Sequence, residues 1–215
     1  MKIAVIACEV MGEEIKYTLK KAQLECDLYT LKSSLHIYPE ELNKALQHQI
    51  DEITDADIIY LAYGKCGGGA IGLHSKVCPI VMPRTSDCID TLLHSNPDLP
   101  LRRADSFFIS KGWQNFITEQ ENLHYAKYTQ KRASELKKLI YKNYTYIAYM
   151  QDANINDEHS FTWAKEYADS CGLELTTIDT NTELLDDMLK GIYDSRHIMV
   201  QKNEFITENM FKDSL

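Results

Sequence analysis

Short apolar runs alternate along the chain with longer segments whose apolar positions recur at helical spacing. Lys2 to Ala7 is a β-branched apolar run and reads as a buried strand. A polar helix follows from Gly12, with Ile15, Leu19 and Ala22 on one face. Cys26 to Leu31 is the second strand. Pro39 opens a helix at its first position, with Glu40 and Glu41 beside the positive helix end. Asp57 to Tyr63 forms the next buried strand and runs into the glycine-rich segment GKCGGG. Val77 to Met82 is a strand closed by Pro83, and Thr85, Ser86 or Asp87 is placed to cap the helix that follows. Ser106 to Ile109 is a brief strand ahead of Gly112 and Trp113.

A long helix is predicted from Glu119 to Tyr141, after which the alternation resumes. Strands are expected at Tyr144–Met150, Leu173–Ile178 and His197–Val200. Helices are expected from Asp157 to a stop at Gly172, and around Leu184 to Leu189. This order predicts an α/β fold: a mostly parallel sheet with helices on both faces, in two Rossmann-like halves. Residues 1–118 form the first half and 143–202 the second, joined by a bridging helix over 119–142. The polar tail over 203–215 is expected to be loosely held.

Length and composition fit one globular α/β protein of 215 residues, with 44% hydrophobic and 26% charged positions. The formal net charge of -9 works against nucleic-acid and anionic-membrane partners, which require a positive face. The basic group Lys131, Arg132, Lys137 and Lys138 reads as a solvated helix face. The first strand begins too early for a separate signal sequence, and no apolar run approaches the ~20 residues of a spanning helix. The expected compartment is cytoplasmic and reducing, so the six cysteines are expected to be packing residues, metal ligands or reactive thiols.

Strand polarity sorts those cysteines. Ligands of open parallel sheets bind at the carboxyl ends of strands. Cys8, Cys66 and Cys88 each follow a predicted strand; Cys26 and Cys78 begin strands, and Cys171 lies on a helix face expected to be buried. Three thiolates on one sheet edge can hold an iron–sulfur cluster or a zinc ion with one open position, or act in redox chemistry. The placement of Cys88 near a helix start predicts a lowered thiol pKa. No C-x-x-C spacing is present. The segment GKCGGG matches neither a P-loop nor a dinucleotide fingerprint, but Gly67 and Gly68 would let backbone amides approach an anion. Arg84 and Asp87 flank the same edge, as an anion site or as a structural pair. His36 is a loop histidine able to complete a metal site, and Trp113 either walls a pocket or covers the sheet. The remaining histidines form no recognisable catalytic pattern.

AC at 7–8, LHIYPEEL at 35–42, YGKCGGG at 63–69, PRTSDC at 83–88 and KGW at 111–113 occur in that order. Together with AKEYADSCGLEL and LLDDMLKGIYDSRHIMV, they resemble the domain of unknown function 1638 family. The resemblance carries onto Tyr63, Gly64, Cys66, Gly67, Pro83, Arg84, Asp87, Cys88, Gly112 and Trp113, with Cys8 and His36 from earlier segments. Two features depart from the family pattern: Ser86 stands where a histidine usually precedes the Asp-Cys pair, and a closing Pro-Gly element is missing after Val200. The resemblance implies a setting in methanogens and other anaerobes, in one-carbon metabolism. Its implied partner is a corrinoid protein or methyltransferase.

The leading expectation is therefore a metal or iron–sulfur site held by Cys8, Cys66 and Cys88, with His36 or an exogenous ligand in fourth place. Arg84, Asp87, Gly67, Gly68 and Trp113 would surround a bound group. Two rivals stand beside it: a module binding a small anion or nucleotide through the glycine loop and Arg84, and a thiol enzyme with Cys66 or Cys88 as nucleophile.

Overall fold

A computed structural model of the chain describes residues 1–94, 96–152, 154–155 and 158–212, apart from the side chain at 124. It forms two compact units: residues 1–94 with 181–215, and residues 95–180.

The first unit is built on strands β1 (Ile3–Cys8), β2 (Asp27–Leu31), β3 (Ile58–Ala62), β4 (Ile80–Pro83) and β8 (His197–Val200). Their order across the sheet is β2-β1-β3-β4-β8. The pairings β1–β2, β1–β3 and β3–β4 are parallel, and β4–β8 is antiparallel. Every residue of β1, β3 and β4 is buried, as strands covered on both faces must be. Helices α1 (Gly12–Ala22), α2 (Pro39–Glu52) and α8 (Glu183–Leu189) supply the cover, with the short α3 (Cys88–Leu92) after β4. Proline at the first turn of α2, with Glu40 and Glu41 beside it, sets that start where the sequence puts it. Lys21 ties α1 to α8 through Asp186 at 2.5 Å.

The second unit holds a parallel sheet in the order β5-β6-β7, from Ser106–Ile109, Tyr146–Gln151 and Glu174–Asp179. Its helices are α4 (Leu99–Asp105), α5 (Lys111–Lys127), α6 (Gln130–Ile140) and α7 (Glu158–Cys171). Ile109, Phe116, Ile147, Tyr149, Ala164 and Tyr167 form part of its core. The helix start expected at Asp157 lies outside the described residues.

The α/β class and the mostly parallel pairing stand as read from the sequence. Three details differ. The single bridging helix is instead α5 and α6, because the Thr129 side chain caps a new start by accepting from the Arg132 amide. The last strand runs antiparallel against β4, so it completes the first sheet rather than a C-terminal βαβ unit. The polar tail is anchored: Ile206 and Phe211 are buried, and the Ile206 backbone pairs with Gly72 and Leu73.

Candidate functional site

β1, β3 and β4 are consecutive neighbours in the sheet, and one cysteine follows or ends each of them. Cys8 is the last residue of β1. Beyond β3 and β4 the two connecting loops continue to pair: Lys65 N–H donates to Thr85 O and Cys66 N–H to Ser86 O, both at 2.8 Å. Gly64 permits this approach, since a Cβ there would stand 2.6 Å from the Asp87 nitrogen and 2.7 Å from its Cα. The pairing brings the segment of Cys66 against the segment that leads into Cys88. Cys66 itself sits at φ 48°, a left-handed conformation that costs a non-glycine residue on the order of 1–2 kcal/mol.

The three thiols are near enough to perturb one another. Burial pushes Cys66 up to about 12, with the Cys8 and Asp87 charges adding to it. Cys88 is raised well above its ordinary value by burial first, then by Asp87, Cys66, Cys8 and Glu14. Cys8 is raised chiefly by burial. The sequence-based expectation of a low pKa at Cys88 is thus reversed: α3 has only five residues, and its dipole is outweighed by burial and by surrounding negative charge. Tyr63, the residue after β3, has a buried hydroxyl with no nitrogen or oxygen partner. Burial raises its pKa, followed by the charges of Cys8 and Cys66, a hydrogen-bonding contact with Cys8 and the charge of Cys88. All six cysteines are free thiols.

His36 lies in the 3-10 turn Ser33–Ile37 after β2. That turn is held to the end of β1, because Glu9 accepts from the Ser33 amide at 3.1 Å and from its hydroxyl at 2.9 Å. His36 Nδ1 bonds the Ser33 carbonyl, so Nδ1 carries the proton and Nε2 the lone pair. Burial lowers the His36 pKa, which favours the neutral ring. Asp87 caps α3: its carboxylate accepts from the Asp90 amide at 2.9 Å, and Asp90 accepts from the Ser86 amide at 3.0 Å. Its role is therefore at least structural. Arg84 is half-buried, and its Nε has no partner among the described residues.

The glycine segment is a folded turn. The amides of Lys65, Cys66, Gly68, Gly69, Ala70, Ile71 and Gly72 all donate to backbone carbonyls. Gly67, at φ 66°, lies against Pro39, and Asn43 of α2 bonds the Gly69 and Ile71 carbonyls. Few amides are left to cradle a phosphate, which removes the physical basis of the glycine-loop anion site. Trp113 belongs to the second unit, where its ring packs on Phe107 and Phe116. Tyr63 and Glu14 are the site residues that residue patterning did not single out for chemistry. Glu14 is buried on α1, and only its sequence proximity to Cys8 hinted at a shared location.

Among the described residues, no group of three or more His, Cys, Asp or Glu side chains is arranged to hold a metal ion. No helix among them is long and apolar enough to cross a membrane.

The family pattern described as Protein of unknown function (DUF1638) matches residues 30–189. The chain belongs to the DUF1638 family. The match includes Cys66, Cys88 and the paired loops that carry them, while Cys8 precedes it. No curated protein and no solved structure matches the chain.

Proposed function

We propose that this DUF1638 protein binds a thiophilic metal ion or an iron–sulfur cluster through Cys8, Cys66 and Cys88. The observation that carries this reading is the convergence of three cysteines on the carboxyl ends of three adjacent parallel strands. Their mutual electrostatic influence supports it. Such a cluster stays protonated on its own, because buried thiolates repel each other and are poorly solvated. A soft cation reverses that balance by displacing the protons. Cys8, Cys66 and Cys88 would have to turn onto the ion to hold it, since the described residues form no ready-made ligand set. His36 has the tautomer of a metal ligand, with one ring nitrogen fixed by a backbone carbonyl. Tyr63 would donate a hydrogen bond to a bound sulfur. An open coordination position would suit exchange of a group with a corrinoid protein or methyltransferase, the partner class implied by the family resemblance.

Anaerobic purification followed by metal and acid-labile sulfide analysis tests this. The expected result is a stoichiometric metal or cluster content that Cys66→Ser reduces. A metal-free protein that takes up neither zinc nor iron with sulfide contradicts it.

A second reading, an anion-binding module, rests on the buried Nε of Arg84 rather than on the glycines. Its signature would be a thermal shift with inorganic phosphate or a nucleotide that Arg84→Met abolishes and that survives loss of all three thiols. The third possibility, a low-pKa thiol nucleophile, finds no support in thiols whose pKa values are all raised.

A further inference from the structure

The second unit carries a cavity of about 160 Å³, quite apart from any thiol chemistry. Its walls include Phe107, Trp113, Phe116, Tyr141, Tyr167 and Ile117. The aromatic walls meet edge to face: Phe107–Trp113 at 69°, Trp113–Phe116 at 74° and Tyr141–Tyr167 at 83° between ring planes. That arrangement presents both ring faces and ring edges to an occupant.

Lining chemistry limits the charge of that occupant. Lys137 is ion-paired with Glu121, both in the wall, and its ammonium stands 4.2 Å from the Tyr167 ring centroid. One positive charge thus already holds an aromatic face and is neutralised locally, so neither a further cation nor an anion gains a net attraction. The Tyr141 and Tyr167 hydroxyls bond each other at 2.6 Å. Whichever accepts still has its own proton to donate. Size limits the occupant further: an apolar cavity of ~150 Å³ is enough to admit benzene.

We infer that this cavity binds a neutral single-ring aromatic molecule, with a phenol-sized compound as the fitting class. Trp113, read from the sequence as either a pocket wall or a sheet cover, then serves as a wall of this site. The site depends on none of the three clustered cysteines, so its failure and that of the metal reading are separable.

The test uses the full chain with Trp163→Phe, which leaves Trp113 as the only tryptophan. Phenol should perturb Trp113 fluorescence saturably, in the low-millimolar range or below, and should raise the melting temperature of the unmodified protein. Tetramethylammonium and benzoate should do neither. Ala133→Phe, which fills the cavity from α6, should abolish the response in a protein whose circular dichroism is unchanged. Should that variant fail to fold, a crystal soaked with 4-bromophenol decides. An anomalous bromine peak among Trp113, Phe116 and Tyr141 supports the inference, and a peak only elsewhere, or none, overturns it. A linear, unsaturable fluorescence response, or equal effects from the charged compounds, also overturns it.

Discussion

Replacing Gly64 by alanine would put a methyl group against backbone rather than against a side chain that can move. The added Cβ would meet the Asp87 nitrogen at 2.6 Å, the Asp87 Cα at 2.7 Å and the Thr85 oxygen at 2.9 Å. Overpacking of this kind costs about 1–3 kcal/mol. If the loops separate to relieve it, the 2.8 Å bonds from Lys65 and Cys66 are lost as well. Each contributes about 0.5–1.5 kcal/mol, so the total reaches roughly 2–6 kcal/mol. Two other glycines calibrate the number. Gly12→Ala meets nothing within 4 Å and has helical φ, so it should be neutral or slightly stabilising. Gly68→Ala also meets nothing, but its φ of 101° makes the cost purely conformational. Urea unfolding gives the three free energies, and amide exchange at Lys65 and Cys66 reports the loop pairing itself. At 1.4 kcal/mol per decade, protection there should fall at least tenfold in Gly64→Ala. A Gly64→Ala protein within about 0.5 kcal/mol of the unmodified chain, with Lys65 and Cys66 still protected, would refute the reasoning.

Other consequences are open to equally direct measurement. In the metal-free protein a raised pKa delays thiolate formation as pH rises, so Cys66 should be alkylated slowly near pH 8. A shift from 9.0 to about 12 leaves about a thousandfold less thiolate there, only partly offset by greater nucleophilicity; a rate plateau reached below pH 8 would contradict this. Removing residues 203–215 exposes the sites of Ile206 and Phe211 and should cost about 3 kcal/mol or more in urea unfolding; an unchanged midpoint would show that the tail is not anchored. Glu121→Gln leaves the mostly buried Lys137 ammonium without its carboxylate, although Ser170 and the Tyr167 ring remain. A loss of about 1–3 kcal/mol is expected, discounted for the partial exposure of Glu121, and a stabilised variant would count against the pairing.

Much of the fold was readable because its strands are buried on both faces. Continuous apolar runs mark β1 and β3 within a residue, and Pro39 marks the start of α2. Direction is another matter: His197–Val200 is an apolar run like the others, and nothing in four residues says that it pairs antiparallel with β4. The break between α5 and α6 was hidden because Thr129 lies in a helix-favouring stretch where its capping role shows only in three dimensions. Two apolar residues anchor a tail whose composition is polar.

The candidate site was legible as a location, because strand polarity alone separates Cys8, Cys66 and Cys88 from the other cysteines. Its electrostatics were not. The helix dipole argument at Cys88 fails first because the thiol is buried, and then because Asp87, Cys66, Cys8 and Glu14 add negative charge around it, Glu14 from 52 or more positions away from Cys66 and Asp87 in the chain. The glycines likewise suggested exposed amides, and only the backbone pairing shows that those amides bond within the turn.

Titrating the reduced, metal-free protein with cobalt(II) under anaerobic conditions tests the central proposal most directly. A thiolate-to-metal charge-transfer band should grow to a one-to-one endpoint. It should be lost or weakened in each of Cys8→Ser, Cys66→Ser and Cys88→Ser, and kept in Cys26→Ser, Cys78→Ser and Cys171→Ser. No charge-transfer band, or one that depends on the second set of cysteines instead, would contradict the three-cysteine site.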